Sequence, residues 1–77
     1  MTNSIPSALR EYARELLDIT DLPEDAMFLE LGGNSLSAVM LANRLEEDFG
    51  IRVCTEDILV STLPELDEIC SGLSPEG

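Results

Sequence analysis

Between Ser35 and Phe49 the chain carries apolar residues at helical spacing, entered through Gly32, Gly33 and Asn34 and closed by Gly50. Ala38, Leu41, Ala42, Leu45 and Phe49 recur at intervals of three and four, which gathers them on one face of an α-helix over about 35–49. Gly50, just past the last periodic residue, suits a left-handed C-terminal turn. A helix in a small bundle needs only one buried face, yet Leu36, Val39 and Met40 make a second apolar strip that begins at Ser35 and continues with Asn43 and Glu47. Either a neighbouring element covers this strip, or it stays open as a docking surface on which Met40 is an adaptable contact.

The start of that helix has two readings. Asn and Ser are ordinary N-cap residues and Gly-Gly is an ordinary turn, so Leu31-Gly32-Gly33-Asn34-Ser35-Leu36 can be a structural entry and nothing more. The same arrangement presents the Ser35 hydroxyl beside unpaired backbone N–H groups and the positive end of a helix dipole. That is a favourable place for a phosphate. As a cap, Ser35 would be worth about 1 kcal/mol.

Elsewhere the pattern is also helical. Pro6 suits a first turn, and Leu9, Ala13, Leu16 and Leu17, with Tyr12 at the margin, predict an amphipathic helix over about 6–18. Met1 to Ser4 should fray. From Thr20 to Asn34 periodicity lapses, and a loop this long in a small domain is expected to be pinned or functional. Asp21, with Pro23 and Glu24, could cap one short turn, while Phe28 and Leu31 should anchor the loop to the core. After an extended Ile51-Arg52-Val53, Thr55 could cap a short helix through Leu59. Thr62 and Glu65 read as a capping box for a last helix carrying Leu63, Leu66, Ile69 and Cys70, with Gly72 and Pro75 closing the chain.

Composition removes several kinds of chemistry. In 77 residues there is room for one small domain with a thin core, and not for a deep active-site cavity as well. There is no His to act as general base and no Lys for Schiff-base chemistry. A small hydrolase using Ser35 is therefore the weakest reading. Cys54 and Cys70 are too far apart for a metal-binding pair and read as small buried hydrophobes, so no metal site is expected. Sixteen Asp and Glu face four Arg, a net charge of −12 that repels nucleic acid and anionic lipid and favours basic partners. No apolar run is long enough to span a membrane, and without a signal peptide the expected compartment is cytoplasmic.

The stretch MFLELGGNSLSAVMLANRLEEDFGIRV, Met27 to Val53, resembles the acyl and peptidyl carrier proteins. The likeness rests on the Leu31-Gly32-Gly33-Asn34-Ser35-Leu36 turn, then Ala38, Leu41, Leu45, Phe49 and Gly50, and the order of helices extends it over nearly the whole chain. It implies an all-α fold, a small four-helix bundle of three longer helices and one short one, with a long loop between helices 1 and 2. It also implies one domain over residues 1–77, with an ordered core of about 5–72. Ser35 would receive a covalent 4′-phosphopantetheine arm from coenzyme A, flanked by Gly33, Asn34 and Leu36, through a separate phosphopantetheinyl transferase. The chain itself would be non-catalytic. Leu36, Val39, Met40, Asn43, Glu46 and Glu47, with Ile58 and Leu59 from the third helix, would meet partner enzymes.

The carrier proteins of fatty-acid synthesis usually have Asp before the serine, and peptidyl carriers often His or Asp. Asn34 keeps the capping ability and loses a charge, while the Gly-Gly pair leans toward the peptidyl and polyketide branches. The resemblance points first to a stand-alone, monomeric peptidyl (aminoacyl) carrier of a nonribosomal-peptide type of natural-product pathway. It would be loaded by an adenylating or acyl-activating enzyme and serve tailoring, condensation or transfer enzymes. An acyl carrier of a polyketide or hybrid pathway is the alternative within the class. A helical adaptor without a prosthetic group is the alternative outside it.

Overall fold

In a computed structural model that describes residues 4–73, four helices follow one another, α1 (Ile5–Leu17), α2 (Ser35–Phe49), α3 (Thr55–Val60) and α4 (Leu63–Gly72). No strand occurs among the described residues, and the only bridge there is an isolated antiparallel pair between Met27 and Thr62. The all-α reading with a long loop between the first two helices therefore holds. Helix α1 packs on α2 and α4, and α2 also packs on α3.

The local chemistry explains each element. Helix α1 starts at Ser4, whose hydroxyl accepts the Ser7 N–H, with Pro6 in the first turn where a missing N–H costs nothing. Ser4 is thus a cap rather than a frayed end; Met1 to Asn3 lie outside the described residues, as does Pro75. The helix stops one residue sooner than the periodicity suggests, because Asp18 turns left-handed (φ 56°) and its N–H closes onto the Arg14 carbonyl. Helix α2 keeps the predicted bounds, with Gly50 left-handed at its end (φ 70°). Helix α4 begins with the expected Thr62–Glu65 capping box.

Two expected caps are absent. Thr55 is the first residue of α3, not its cap; Cys54 holds the cap position and makes no side-chain hydrogen bond there. Residues 21–23 carry no helical turn at Asp21; the loop turns instead at 24–32, where Glu30 accepts the Met27 N–H.

The core gathers Leu9, Phe28, Leu41, Leu45, Ile58, Leu63, Leu66 and Cys70 as its large fully buried side chains. Each large apolar one contributes roughly 1.5–3 kcal/mol relative to exposure. Phe28 anchors the loop as expected, whereas Leu31 is only half-buried. Cys70 is a buried hydrophobe, its thiol pushed up to about 11 chiefly by that burial. Cys54 is exposed instead.

Polar clamps tie the elements together. Arg10 on α1 pairs with Glu24 of the loop at 2.6 Å and with Asp67 of α4 at 2.8 Å. Tyr12 donates its hydroxyl to Asp48, and Arg44 lies over its ring at 5.4 Å, joining α1 to α2. Burial, then that bond to Asp48, pushes the phenol up to about 12.

Candidate functional site

The loop is delivered to the start of α2 by backbone pairing with the α3–α4 junction. The Phe28 N–H donates to the Ser61 carbonyl at 3.1 Å, and the Leu29 N–H donates to the Leu59 carbonyl at 3.1 Å. The chain then winds tightly. The Phe28 carbonyl accepts from both Leu31 and Gly33, and the Leu29 carbonyl accepts from Gly32. Burying the Phe28 side chain thus sets the path of the backbone a few residues before Ser35.

The two glycines serve different needs. Gly32 lies at φ 101° with open space around it, so its requirement is conformational. Gly33 has no such constraint, but a Cβ there would lie 2.5 Å from Phe28 Cε2 and 2.8 Å from the Phe28 carbonyl oxygen. Its requirement is close approach.

Asn34 is the N-cap of α2. Its backbone is extended, its Oδ1 accepts the Ser37 N–H at 2.9 Å, and the Ser37 hydroxyl accepts the Asn34 N–H at 2.8 Å. The expectation that Ser35 supplies a cap is therefore corrected: Ser35 is the first helical residue. Its side chain is exposed and makes no hydrogen bond among the described residues. The first intrahelical bond runs from the Ala38 N–H to the Asn34 carbonyl at 2.9 Å. The N–H groups of Ser35 and Leu36 accordingly have no acceptor within the helix. No acidic residue occupies the first turn of α2, so nothing there offsets the positive end of its dipole.

This site offers a free hydroxyl and an electropositive backbone. With no His and no Lys in the chain, a serine hydroxyl here is not activated by the usual side chains. A phosphate ester fits the position, because the N–H groups of Ser35 and Leu36 point where an anion would sit.

Beside the hydroxyl, Leu36 is 69% exposed, and Val39 and Met40 are also exposed. The second apolar strip is thus uncovered. Asn43, Glu46 and Glu47 continue it at the surface, and Glu46 is paired with Arg52 at 3.1 Å. Leu59 is half-buried. Ile58 corrects the expected surface: at 0% exposure it belongs to the core, because a six-residue helix lying on α2 turns that position inward. Besides Leu73 at the end of α4, two exposed apolar residues were not anticipated, Leu29 and the 60% exposed Val60, close to the loop–α3 backbone contact. Their location depends on that pairing, for which the loop's sequence carries no periodic signal.

No group of three or more His, Cys, Asp and Glu positioned to hold a metal occurs among the described residues. No helix there is long and apolar enough to cross a membrane.

Residues 7–71 match the family described as "Phosphopantetheine attachment site". A stretch of 46 residues is 46% identical to part of the non-reducing polyketide synthase stbA of Stachybotrys bisbyi. It covers 60% of this chain and 2% of that synthase, so the chain spans only a small fraction of this relative's length.

Proposed function

The chain belongs to the phosphopantetheine-attachment family, whose members carry a covalent 4′-phosphopantetheine, and we propose that Ser35 is the residue that bears it here. The chain is a carrier protein, a class that is generally non-catalytic. One observation supports the assignment above the others. Ser35 presents an unengaged, exposed hydroxyl at the first position of a helix whose electropositive end is not neutralised. Gly33, Asn34 and Leu36 flank it as the shaping elements of the turn.

In the proposed reaction Ser35 Oγ attacks the pantetheine-side phosphorus of the coenzyme A pyrophosphate on a separate transferase with Mg²⁺. The hydroxyl proton passes to a base on that transferase, since this chain has no His or Lys to take it. The new P–O bond forms as the bond to the adenosine 3′,5′-bisphosphate side breaks, and that fragment leaves with the electron pair. The N–H groups of Ser35 and Leu36 would hold the phosphodiester anion there. Once attached, the arm supplies a terminal thiol that holds cargo as a thioester.

Partner enzymes would dock on Leu36, Val39 and Met40, bordered by Asn43, Glu46, Glu47 and half-buried Leu59; Ile58 is excluded by its burial. The chain's negative charge favours partners with basic surfaces, and such binding weakens with salt. Replacing Leu36 or Met40 by Ala should shift fold stability by less than about 0.5 kcal/mol, as for exposed residues. Partner binding should weaken at least tenfold.

The cargo has two readings. The Gly32-Gly33 pair suits both the peptidyl and polyketide branches, and the similarity to a polyketide synthase favours the acyl carrier of a polyketide-type pathway. A peptidyl carrier of a nonribosomal-peptide pathway, loaded by an adenylating enzyme, is the second reading. Loading of the holo chain by a malonyl transferase or by an amino-acid-adenylating enzyme separates the two. The attachment itself is tested by intact mass after incubation with coenzyme A, Mg²⁺ and a broad-specificity transferase. One phosphopantetheine should be gained by the natural chain and none by Ser35→Ala. Because Ser35 is not the cap, Ser35→Ala should cost no more than a few tenths of a kcal/mol, well below the cost of losing a cap.

A further inference from the structure

Two hydroxyls stand two residues apart in the first turn of α2, and they are in opposite states. Ser35 is exposed with no hydrogen bond among the described residues. Ser37 is half-buried and fully engaged. It accepts from the Asn34 N–H at 2.8 Å and lies 3.1 Å from both the Asn34 carbonyl and Oδ1, either of which can take its proton. Its own N–H is held by Asn34 Oδ1 at 2.9 Å. The third helical residue is the one whose side chain can reach back to the cap, usually as Glu or Gln. Here a short Ser closes the same ring without adding a carboxylate to the first turn.

Resting on the assignment of Ser35, we propose that the Asn34–Ser37 reciprocal cap is a positioning device for arm transfer. Asn34 and Ser37 hold the first turn wound, so that Ser35 Oγ stands outward and the N–H groups of Ser35 and Leu36 converge beside it. Neither Asn34 nor Ser37 touches the reacting atoms. A turn that frays spends part of its time with Ser35 Oγ misdirected and its N–H groups dispersed, and transfer slows in proportion to the time lost. Ser37 is thereby withdrawn as a competing acceptor, its oxygen committed to the ring.

The test is transfer kinetics with coenzyme A, Mg²⁺ and one transferase, on the full chain and at a temperature well below each variant's Tm. Asn34→Ala should lower kcat/KM by up to about fivefold, the limit set by a cap worth about 1 kcal/mol. Ser37→Ala, which removes the hydroxyl's bonds to Asn34 and leaves the backbone N–H of that position on Asn34 Oδ1, should lower it about threefold. Asn34→Ser and Ser37→Thr, which keep an oxygen at each position, should restore rates to within about twofold of the natural chain. Arm attachment in every modified variant should map to residue 35 by peptide mass. The proposal is overturned if Asn34→Ala and Ser37→Ala lower Tm but transfer at the natural rate, which is the behaviour of a purely structural cap. It is overturned equally if the hydroxyl-retaining variants are as slow as the alanine ones. Should the natural chain gain no arm, or gain it with Ser35 replaced by Ala, the attachment assignment fails instead, and the two failures are distinct.

Discussion

Gly32 and Gly33 are adjacent and chemically identical, yet the fold asks different things of them. At Gly32 an added methyl meets nothing, but φ of 101° is a region L-residues rarely enter, so Gly32→Ala should cost about 1 kcal/mol. At Gly33 the methyl meets the Phe28 ring and its carbonyl, and overpacking of that kind costs about 2 kcal/mol. Urea denaturation of both variants checks the order. Adding Phe28→Leu should relieve Gly33→Ala in part, because the ring can yield and the carbonyl cannot, and should give no relief to Gly32→Ala. The sequence shows a Gly-Gly turn but cannot assign these reasons, since Gly33 acquires its neighbour only when Phe28 folds beneath it. The cysteines differ in the same way. Cys54 should react with an alkylating reagent at pH 8 in the folded protein because it is exposed, and Cys70 only on unfolding, because burial shields it and pushes its thiol up to about 11. Mass mapping of singly labelled protein tests this. Both read as buried in the sequence; only Cys70 lies on a core-facing helical stripe.

At the scale of elements, the long loop depends on groups distant in sequence. Its backbone pairs with the α3–α4 junction, and its Glu24 pairs with Arg10 on α1. The Arg10 guanidinium holds the Glu24 carboxyl below its usual range. A carboxyl whose folded value lies below its unfolded value of 4.5 contributes stability that is fully present above that value. The contribution is lost as pH falls through the lowered folded value. Glu24→Gln should therefore be less stable than the natural chain at pH 7, and the gap between them, measured by urea denaturation from pH 7 to pH 3, should close below about pH 4.5. A gap that does not change with pH would mean that the Arg10–Glu24 pair is not formed in solution. Helices α1, α2 and α4 were readable from periodicity with bounds good to a residue or two, because caps and apolar spacing are local. Helix α3 was readable as a helix but not in its facing. Six residues make too short a stripe to show that Ile58 points inward while Val60 points out.

For the molecule as a whole, charge is the dominant property. Arg10, Arg44 and Arg52 are each paired with a carboxylate within the chain, so Arg14 is the one remaining cationic side chain to set against the other acids. Self-repulsion at a net charge of −12 should make the fold salt-stabilised, with Tm rising by several degrees between 10 mM and about 300 mM NaCl as the Debye length shortens. Thermal unfolding across that range tests it; a falling Tm would show that the Arg10 clamp outweighs the repulsion. The order of residues alone settles the helical class, the bounds of α2, the absence of His and Lys and the acidic surface. All of these follow from spacing and composition, which need no third dimension. Folding settles that Asn34 rather than Ser35 caps α2, that the Leu36–Met40 strip stays uncovered, and that Ile58 is withdrawn while Leu29 and Val60 emerge. Each of these depends on which segments, far apart in the chain, come to lie against one another.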